Sequence, residues 1–156
     1  ASDKKIESGE LVVFDFGAVL NGYNSDQTMT VPVGKTGALE KEIYTIVYDA
    51  QRKAIEAVRP GITGKQLDSV ARDYITQAGY GKYFGHGLGH GVGLEIHEGP
   101  RASQLYPGVL EPGMMVTIEP GIYLPGKLGV RLEDIVLVTD NGFEILTTLD
   151  KKWKGK

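Results

Sequence analysis

The chain has 156 residues and no Cys, and its 22 Gly are about twice the usual share. Its 17 basic and 20 acidic residues leave a net charge of −3, which argues against a nucleic-acid partner. The lack of Cys excludes a disulfide scaffold, a Cys-based zinc site and a thiol nucleophile, and no apolar run is long enough to cross a membrane. These features favour a single globular domain without a membrane partner, and they are compatible with a cytoplasmic protein.

Residues 11–33 are predicted to form a β-hairpin. The run LVVFDF is rich in β-branched and aromatic residues, and Asn21-Gly22 is typical of a type I′ turn. Pairing across this turn places Asp15 and Asp26 on one face as diagonal neighbours on adjacent strands. Two carboxylates directed at one place repel each other unless protons or cations lie between them. The pair is therefore either part of a cation site or two solvated Asp residues beside a turn.

Two helices are predicted after the hairpin. Apolar residues recur at helical spacing over 39–58, and Pro60-Gly61 ends this stretch. Thr63 and Gln66 fit a capping box at the start of a second helix, and Gly79 is placed to end it.

All three His of the chain lie in the glycine-rich segment 81–99, at His86, His90 and His97. Glycine at this density excludes a helix or a simple strand and indicates backbone that passes close to another group. The spacing of the His residues does not match the HExxH zinc helix. A functional site is the favoured interpretation of the cluster, and hydrogen-bonded His residues in the core are the alternative.

Three further strands are predicted at 114–119, 130–138 and 143–148, with turns at Pro120-Gly121 and Asn141-Gly142. The order of strands, two helices and then strands indicates an α+β fold with a mainly antiparallel sheet.

Two carboxylates stand out in these last strands. Glu119 ends the first of them, on the same face as Thr117, and Glu133 shares a strand face with Arg131. A carboxylate inside an apolar strand costs free energy unless it is paired or bound to a metal. An ion pair with a neighbouring Arg or Lys is therefore the alternative to metal binding for Glu133.

Taken together, four carboxylates and a few imidazoles are a hard, oxygen-rich ligand set that suits Mn, Co or Fe(II) and tolerates Zn. Two divalent cations balance four carboxylate charges, and two adjacent ions can hold a bridging hydroxide and polarise a carbonyl group. The residues by themselves therefore favour a dinuclear metallohydrolase.

Four segments in this order closely resemble the pita-bread metallopeptidases, namely DFGAVLNGYNSDQTMT, HGLGHGVGLEIHEGPR, EPGMMVTIEPGIY and GVRLED. This family contains methionine aminopeptidase, Xaa-Pro aminopeptidase and Xaa-Pro dipeptidase, and the resemblance extends from about residue 9 to residue 148. It implies the pita-bread fold, an α+β fold with a mainly antiparallel curved sheet and two long helices. It also implies five metal ligands, which fall on Asp15, Asp26, His90, Glu119 and Glu133.

The resemblance further implies catalytic roles for four residues. His86 and His97 line the substrate cleft, and His97 contacts the scissile peptide and helps to stabilise the tetrahedral intermediate. Glu119 accepts the proton of the bridging water and passes it to the leaving amine. Arg131, hydrogen-bonded beside Glu133, resembles the arginine of the proline-specific branch. The implied cofactors are two divalent metal ions, with Mn²⁺ as the first choice and Co²⁺, Fe²⁺ or Zn²⁺ as alternatives.

Two details are similar to the proline-specific branch: His86 precedes His90 by four residues, and the last motif is Val-Arg-Leu-Glu-Asp. The predicted function is hydrolysis of the peptide bond before proline in an Xaa-Pro dipeptide or peptide, either as a dipeptidase or as an aminopeptidase. A methionine aminopeptidase-type exopeptidase is one alternative. A non-catalytic binding module or an inactive fragment is the other.

The chain is shorter than the catalytic domains of this family and begins without Met. The Pro-His-Gly segment that commonly precedes the first motif is also missing. We therefore expect residues 1–156 to be the C-terminal part of a single pita-bread catalytic domain, truncated at its N-terminal side. Activity of the chain by itself stays open, and the resemblance allows a homodimer of the longer parent protein.

Overall fold

Strands surround a pair of helices in residues 3–155, the part of the chain that the computed structural model describes. Four strands come first, β1 (Leu11–Phe16), β2 (Val19–Leu20), β3 (Tyr23–Asn24) and β4 (Gln27–Pro32). The helices α1 (Ala38–Ala57) and α2 (Gly64–Gln77) follow, and then a short 3-10 helix (Gly81–Tyr83). The remaining strands are β5 (Gly89–Gly91), β6 (Glu98–Ala102), β7 (Met115–Ile118), β8 (Gly121–Leu124), β9 (Leu128–Arg131), β10 (Asp134–Thr139) and β11 (Gly142–Ile145). All strand pairs in this part of the chain are antiparallel, as predicted.

The first hairpin has the predicted register. Asp15 lies opposite Thr28, and the pairing continues through β2 and β3 to the turn. Asn21 and Gly22 have φ of 53° and 87°, which a type I′ turn requires of both central residues. Gly17 is needed because a Cβ there would collide with a carbonyl oxygen of the opposite strand. Local turn chemistry therefore sets which side chains share the face of Asp15.

The two helices also agree with the prediction. Thr63 accepts a hydrogen bond from the backbone N–H of Gln66 at 3.1 Å, and the Gln66 side chain accepts one from the Thr63 N–H at 2.9 Å, which completes the capping box. Gly79, with φ of 88°, follows the end of α2. The helices pack on each other and on the sheets, and their core residues include Ile43, Val47, Ala54, Ile55, Leu67, Ala71 and Ile75. No helix within residues 3–155 is long and apolar enough to cross a membrane.

The prediction of one strand over 130–138 is wrong. β9 ends at Arg131 and pairs with β8, whereas β10 begins at Asp134 and pairs with β7 and β11. Leu132 and Glu133 lie between these strands, where the backbone N–H of Glu133 donates to the carbonyl of Thr28 at 2.9 Å. The chain thus changes partners at Glu133, and strand alternation does not decide which way this side chain points.

Two predicted turns also differ. Gly121 begins β8, a strand that the sequence analysis missed, and the reversal into β9 lies at 125–127. The last hairpin turns at Asp140 and Asn141, because Gly142 already pairs with Thr139. The segment 81–99 is irregular, as predicted, with a bulge at His90 in the pairing of β5 with β6.

Candidate metal centre

The five predicted ligands lie together although they come from distant parts of the chain. Asp15 lies on β1 and Asp26 directly before β4. His90 lies on β5, Glu119 directly after β7, and Glu133 between β9 and β10. Ligand atoms of His90, Glu119 and Glu133 lie within 4.8 Å of one another, and so do those of Asp15, Asp26 and Glu133. Glu133 is common to both groups. The arrangement therefore offers two adjacent cation positions that share one carboxylate.

Glu133 is the most deeply buried of these carboxylates, with 1% of the residue exposed. Thr28 donates a hydrogen bond to its Oε2 at 2.7 Å, while its Oε1 is buried and has no hydrogen-bond partner among the described residues. Burial, and then the charge of Glu119, raise the pKa of Glu133 to about 8. No Lys or Arg of the described residues pairs with it, so the ion-pair alternative does not hold there. An orphaned carboxylate oxygen at this depth fits a cation ligand.

Asp15 and Asp26 complete the second group. Burial, followed by repulsion from Asp15, raises the pKa of Asp26. Asp15 is more exposed and accepts a hydrogen bond from Nη2 of Arg131. Arg131 ends β9, two residues before Glu133 in sequence, but its side chain bonds to Asp15 and other groups rather than to Glu133. The predicted position of Arg131 beside Glu133 is therefore corrected to a pairing with Asp15.

The imidazole of His90 is oriented as that of a metal ligand is. Its Nδ1 lies 2.9 Å from the carbonyl of Gly91, so an Nδ1–H can donate there and leave Nε2 free of its proton. Nε2 lies 3.2 Å from Glu119 Oε1 and 3.7 Å from Asp26 Oδ2. Burial lowers the pKa of His90, but hydrogen bonds to Glu119 and Gly91 and the nearby carboxylate charges outweigh it, and the pKa is raised.

Thr117 joins two of the ligands. Its Oγ1 accepts a hydrogen bond from the backbone N–H of His90 at 3.0 Å and donates one to Glu119 Oε1 at 3.0 Å. The predicted common face of Thr117 and Glu119 is confirmed by this contact.

The other two His residues line the same cleft, which has a volume of about 490 Å³. The exposed His97 packs its ring edge-on against His90, with 4.3 Å between the ring centroids. The Nε2 of His86 lies 3.0 Å from the hydroxyl of Tyr123, which also accepts a hydrogen bond from Arg131 at 3.1 Å. Six of the predicted site residues therefore line this cleft, namely Asp15, His86, His90, His97, Glu119 and Arg131. The other two, Asp26 and Glu133, lie beside it, with ligand atoms within 4.8 Å of those of Asp15 and His90.

Several residues in or beside the cleft were not predicted from the sequence. Thr28 could have been found, because it lies directly opposite Asp15 in the predicted hairpin. Tyr123 lies inside a recognised motif but carried no signal of its own. Arg101 also lines the cleft. His97 was predicted only as a substrate contact, yet its ring nitrogen forms a third group with ligand atoms of Asp26 and His90 within 4.8 Å.

The chain is similar in sequence to known proteins. Residues 1–140 match metallopeptidase family M24. The chain is 57% identical over 152 residues to the Xaa-Pro dipeptidase of Pyrococcus furiosus, a match that covers 97% of this chain and 44% of that protein. It is 52% identical over 152 residues to the uncharacterized peptidase YqhT of Bacillus subtilis, covering 97% of this chain and 43% of that one.

Solved structures share the fold. The prolidase from Pyrococcus horikoshii OT3 is 56% identical and superposes with a TM-score of 0.95 over 97% of this chain and 44% of that chain. The X-Pro aminopeptidase from Thermotoga maritima MSB8 is 48% identical, with a TM-score of 0.95 over 97% of this chain and 43% of that chain. The chain thus spans less than half the length of these relatives. It has the pita-bread fold and belongs to metallopeptidase family M24.

Proposed function

We propose that the chain is the metal-binding part of an exopeptidase that uses two divalent metal ions to hydrolyse the peptide bond before proline. The observation that carries this proposal is the buried, unpartnered Oε1 of Glu133 at the junction of the two ligand groups. Relatives named Xaa-Pro dipeptidase, prolidase and X-Pro aminopeptidase support the proline specificity. The substrate is an Xaa-Pro dipeptide or a longer peptide.

In this proposal His90 and Glu119 would hold one ion, Asp15 and Asp26 would hold the other, and Glu133 would be a ligand that both groups include. Carboxylates with a single imidazole suit Mn²⁺ first, with Co²⁺, Fe²⁺ or Zn²⁺ as alternatives. When bound, such a pair of ions supplies an activated water and polarises the scissile carbonyl.

Glu119 is the proposed general base. One of its oxygens is held by Thr117, and its Oε2 lies 4.0 Å from Nε of Arg131. A carboxylate so oriented can take a proton from the attacking water and give it to the proline nitrogen as the amide bond breaks. That nitrogen carries no hydrogen in the peptide, so it needs this proton in order to leave as an amine.

The His residues contact the substrate in this proposal. His97 lies exposed beside His90 and can donate a hydrogen bond to the oxygen that becomes negative in the tetrahedral intermediate. His86 forms the wall of the cleft, where its Nδ1 lies 2.8 Å from the carbonyl of Gly87. Donation to that carbonyl leaves its Nε2 to accept from Tyr123. Arg131 pairs with Asp15 and so holds that carboxylate in place beside the other ligand groups.

We further propose that residues 1–156 are the C-terminal part of one pita-bread catalytic domain. The share of the relatives that the chain spans supports this. So does the outer face of the first hairpin, where Phe14 and Phe16 are each 48% exposed. Large apolar side chains on a sheet face are typical of a face that another layer covers. The cytoplasmic location and a homodimer of the parent stay predictions from the sequence.

Metal loading tests the ligand assignment on the chain itself. After saturation with Mn²⁺ and removal of free metal, elemental analysis should find about two ions per chain. Glu133→Ala should lose most of this metal, whereas Glu144→Ala, an exposed carboxylate on β11, should keep it. Less than one ion in the unaltered chain, or equal loading of both variants, would contradict the proposed metal centre.

Substrate specificity is tested on the longer parent protein loaded with Mn²⁺. Hydrolysis of Ala-Pro but not Ala-Pro-Ala would identify a dipeptidase, and hydrolysis of both an aminopeptidase. Cleavage of Met-Ala-Ser with no activity on either proline substrate would overturn the proposed proline specificity.

A further inference from the structure

A buried ion pair on α2 lies outside the ligand set. Asp68 is fully buried, and the side chain of Arg72 is 16% exposed. Nε of Arg72 lies 2.6 Å from Oδ2 of Asp68 and Nη2 lies 2.9 Å from Oδ1, so the contact is bidentate. Burying two charges costs free energy. A helix is stabilised as well by an exposed ion pair at the same spacing, which does not carry this cost. The pair therefore calls for a reason other than helix stability.

The remaining hydrogen bonds of the pair all end on one short segment, residues 84–88. Arg72 donates to the carbonyl of Phe84 at 2.8 Å and to that of His86 at 2.6 Å. Asp68 accepts from the backbone N–H of Leu88 at 3.0 Å. The guanidinium also stacks over the Phe84 ring, with 4.2 Å from Cζ to the centroid. Only the planar fork of Arg can make these contacts together.

This segment leads into the candidate metal centre. It carries His86, whose ring also packs edge-on against Phe84, with 5.0 Å between the ring centroids. The carbonyl of Leu88 accepts a hydrogen bond from the backbone N–H of Glu119 at 2.8 Å. A continuous series of hydrogen bonds thus runs from Asp68 through Leu88 to Glu119.

The segment has little rigidity of its own. Residues 84–88 form no helix or strand, and Gly85 and Gly87 leave its backbone a wide choice of conformations. Its place is therefore set by groups outside it, and α2 supplies a rigid one.

We propose that Asp68 and Arg72 are positioning residues that hold the backbone of residues 84–88, and through it His86 and Glu119, in the cleft. The catalytic meaning of this placement rests on the proposed function, but the placement itself does not. The proposal requires that removing the ion pair displaces His86 and Leu88 while the rest of the core stays folded.

Nuclear magnetic resonance of the full chain, without metal or substrate, tests this. The chain has three His, so their imidazole signals can be assigned by single substitutions. Arg72→Ala removes the guanidinium contacts with Asp68, Phe84 and His86 and leaves Asp68 without its cation. Arg72→Lys keeps the charge but cannot reach both carbonyls and both Asp68 oxygens. Arg59→Ala is the matched control, because within residues 3–155 the side chain of this exposed Arg bonds only to the carbonyl of Ala57, close by in sequence.

Both Arg72 variants should lose the nuclear Overhauser contact between His86 and Tyr123. Their Leu88 and Glu119 amide protons should exchange with solvent about tenfold to a hundredfold faster, while the amide of Val47 in α1 keeps its rate. Methylguanidinium at millimolar concentration should restore the His86 contact in Arg72→Ala, which a purely structural defect would not allow.

Two results would overturn the proposal. One is an unchanged His86 contact and unchanged Leu88 exchange in folded Arg72→Lys or Arg72→Ala. The other is unfolding of both variants, with equal loss of protection at Val47, since the pair would then stabilise the whole domain rather than position one segment. Neither result depends on metal binding or turnover, so both leave the proposed function to its own tests.

Discussion

Glu133 should make the metal-free chain less stable as pH rises. Its pKa in the folded chain is raised from the usual 4.5 to about 8, chiefly by burial. The folded chain therefore holds this proton more tightly than the unfolded chain does. The free energy of unfolding should fall as pH rises above about 4.5 and level off above about 8.

The magnitude follows from the width of this window. One pH unit corresponds to about 1.4 kcal/mol for each proton taken up on folding. Between pH 5 and pH 7.5 the Glu133 carboxyl should cost the unaltered chain about 3 kcal/mol. Glu133→Gln keeps the shape and the Thr28 hydrogen bond but cannot ionise, so its free energy of unfolding should not fall in this way.

Urea unfolding in EDTA at both pH values measures the effect. The stability difference between Glu133→Gln and the unaltered chain should shift by about 3 kcal/mol in favour of the variant from pH 5 to pH 7.5. Differences in packing cancel in this comparison, because they are the same at both pH values. Glu144→Gln, at an exposed position, should show no such shift. If the stability difference between Glu133→Gln and the unaltered chain is the same at both pH values, then burial does not raise the pKa of Glu133 and the reasoning is refuted.

Three further predictions concern the same site. Mn²⁺ affinity should rise with pH until about pH 8, because Glu133 must lose its proton before it can bind the ion. Titration calorimetry at several pH values measures this, and an affinity that does not change with pH would contradict it. Thr28→Val removes the donor to Glu133 and should weaken Mn²⁺ binding about tenfold to a hundredfold. Thr45→Val, which removes a side-chain hydrogen bond within α1, should leave the affinity unchanged. Equal affinities of the two variants would contradict this role of Thr28. Gly17→Ala should lower the free energy of unfolding, measured in urea, by about 1–3 kcal/mol, because its Cβ collides with the opposite strand. The control Gly85→Ala should not, since a Cβ there has no atom within 4 Å. An unchanged stability of Gly17→Ala would mean that the hairpin strands lie farther apart.

The features that were predicted correctly depend on neighbours in the chain. Asn21-Gly22 sets the hairpin register, and with it the common face of Asp15 and Asp26, through φ values that only a few residue types adopt. The capping box at Thr63 is equally local. Such preferences act over a few residues, so they can be predicted without knowledge of the rest of the fold.

The errors lie where the chain changes partners. Alternation suggested that 130–138 continues as one strand, but Glu133 bonds to β4 between two strands that belong to different sheets. Asp68 and Arg72 went unnoticed although their spacing of four residues on a predicted helix is a visible signal. Asp68 follows Leu67 on the apolar face, and a charge placed there indicates a buried partner.

The amino-acid sequence by itself determined the family, the hairpin, the helices and the residue types of the candidate metal ligands, since motif order and turn chemistry are properties of residue type. Only the tertiary structure decided that Glu133 is common to both ligand groups, that Arg131 pairs with Asp15, and that α2 holds the segment of His86. These contacts join residues far apart in the chain. Their geometry depends on how the sheets and helices pack, which no local preference specifies.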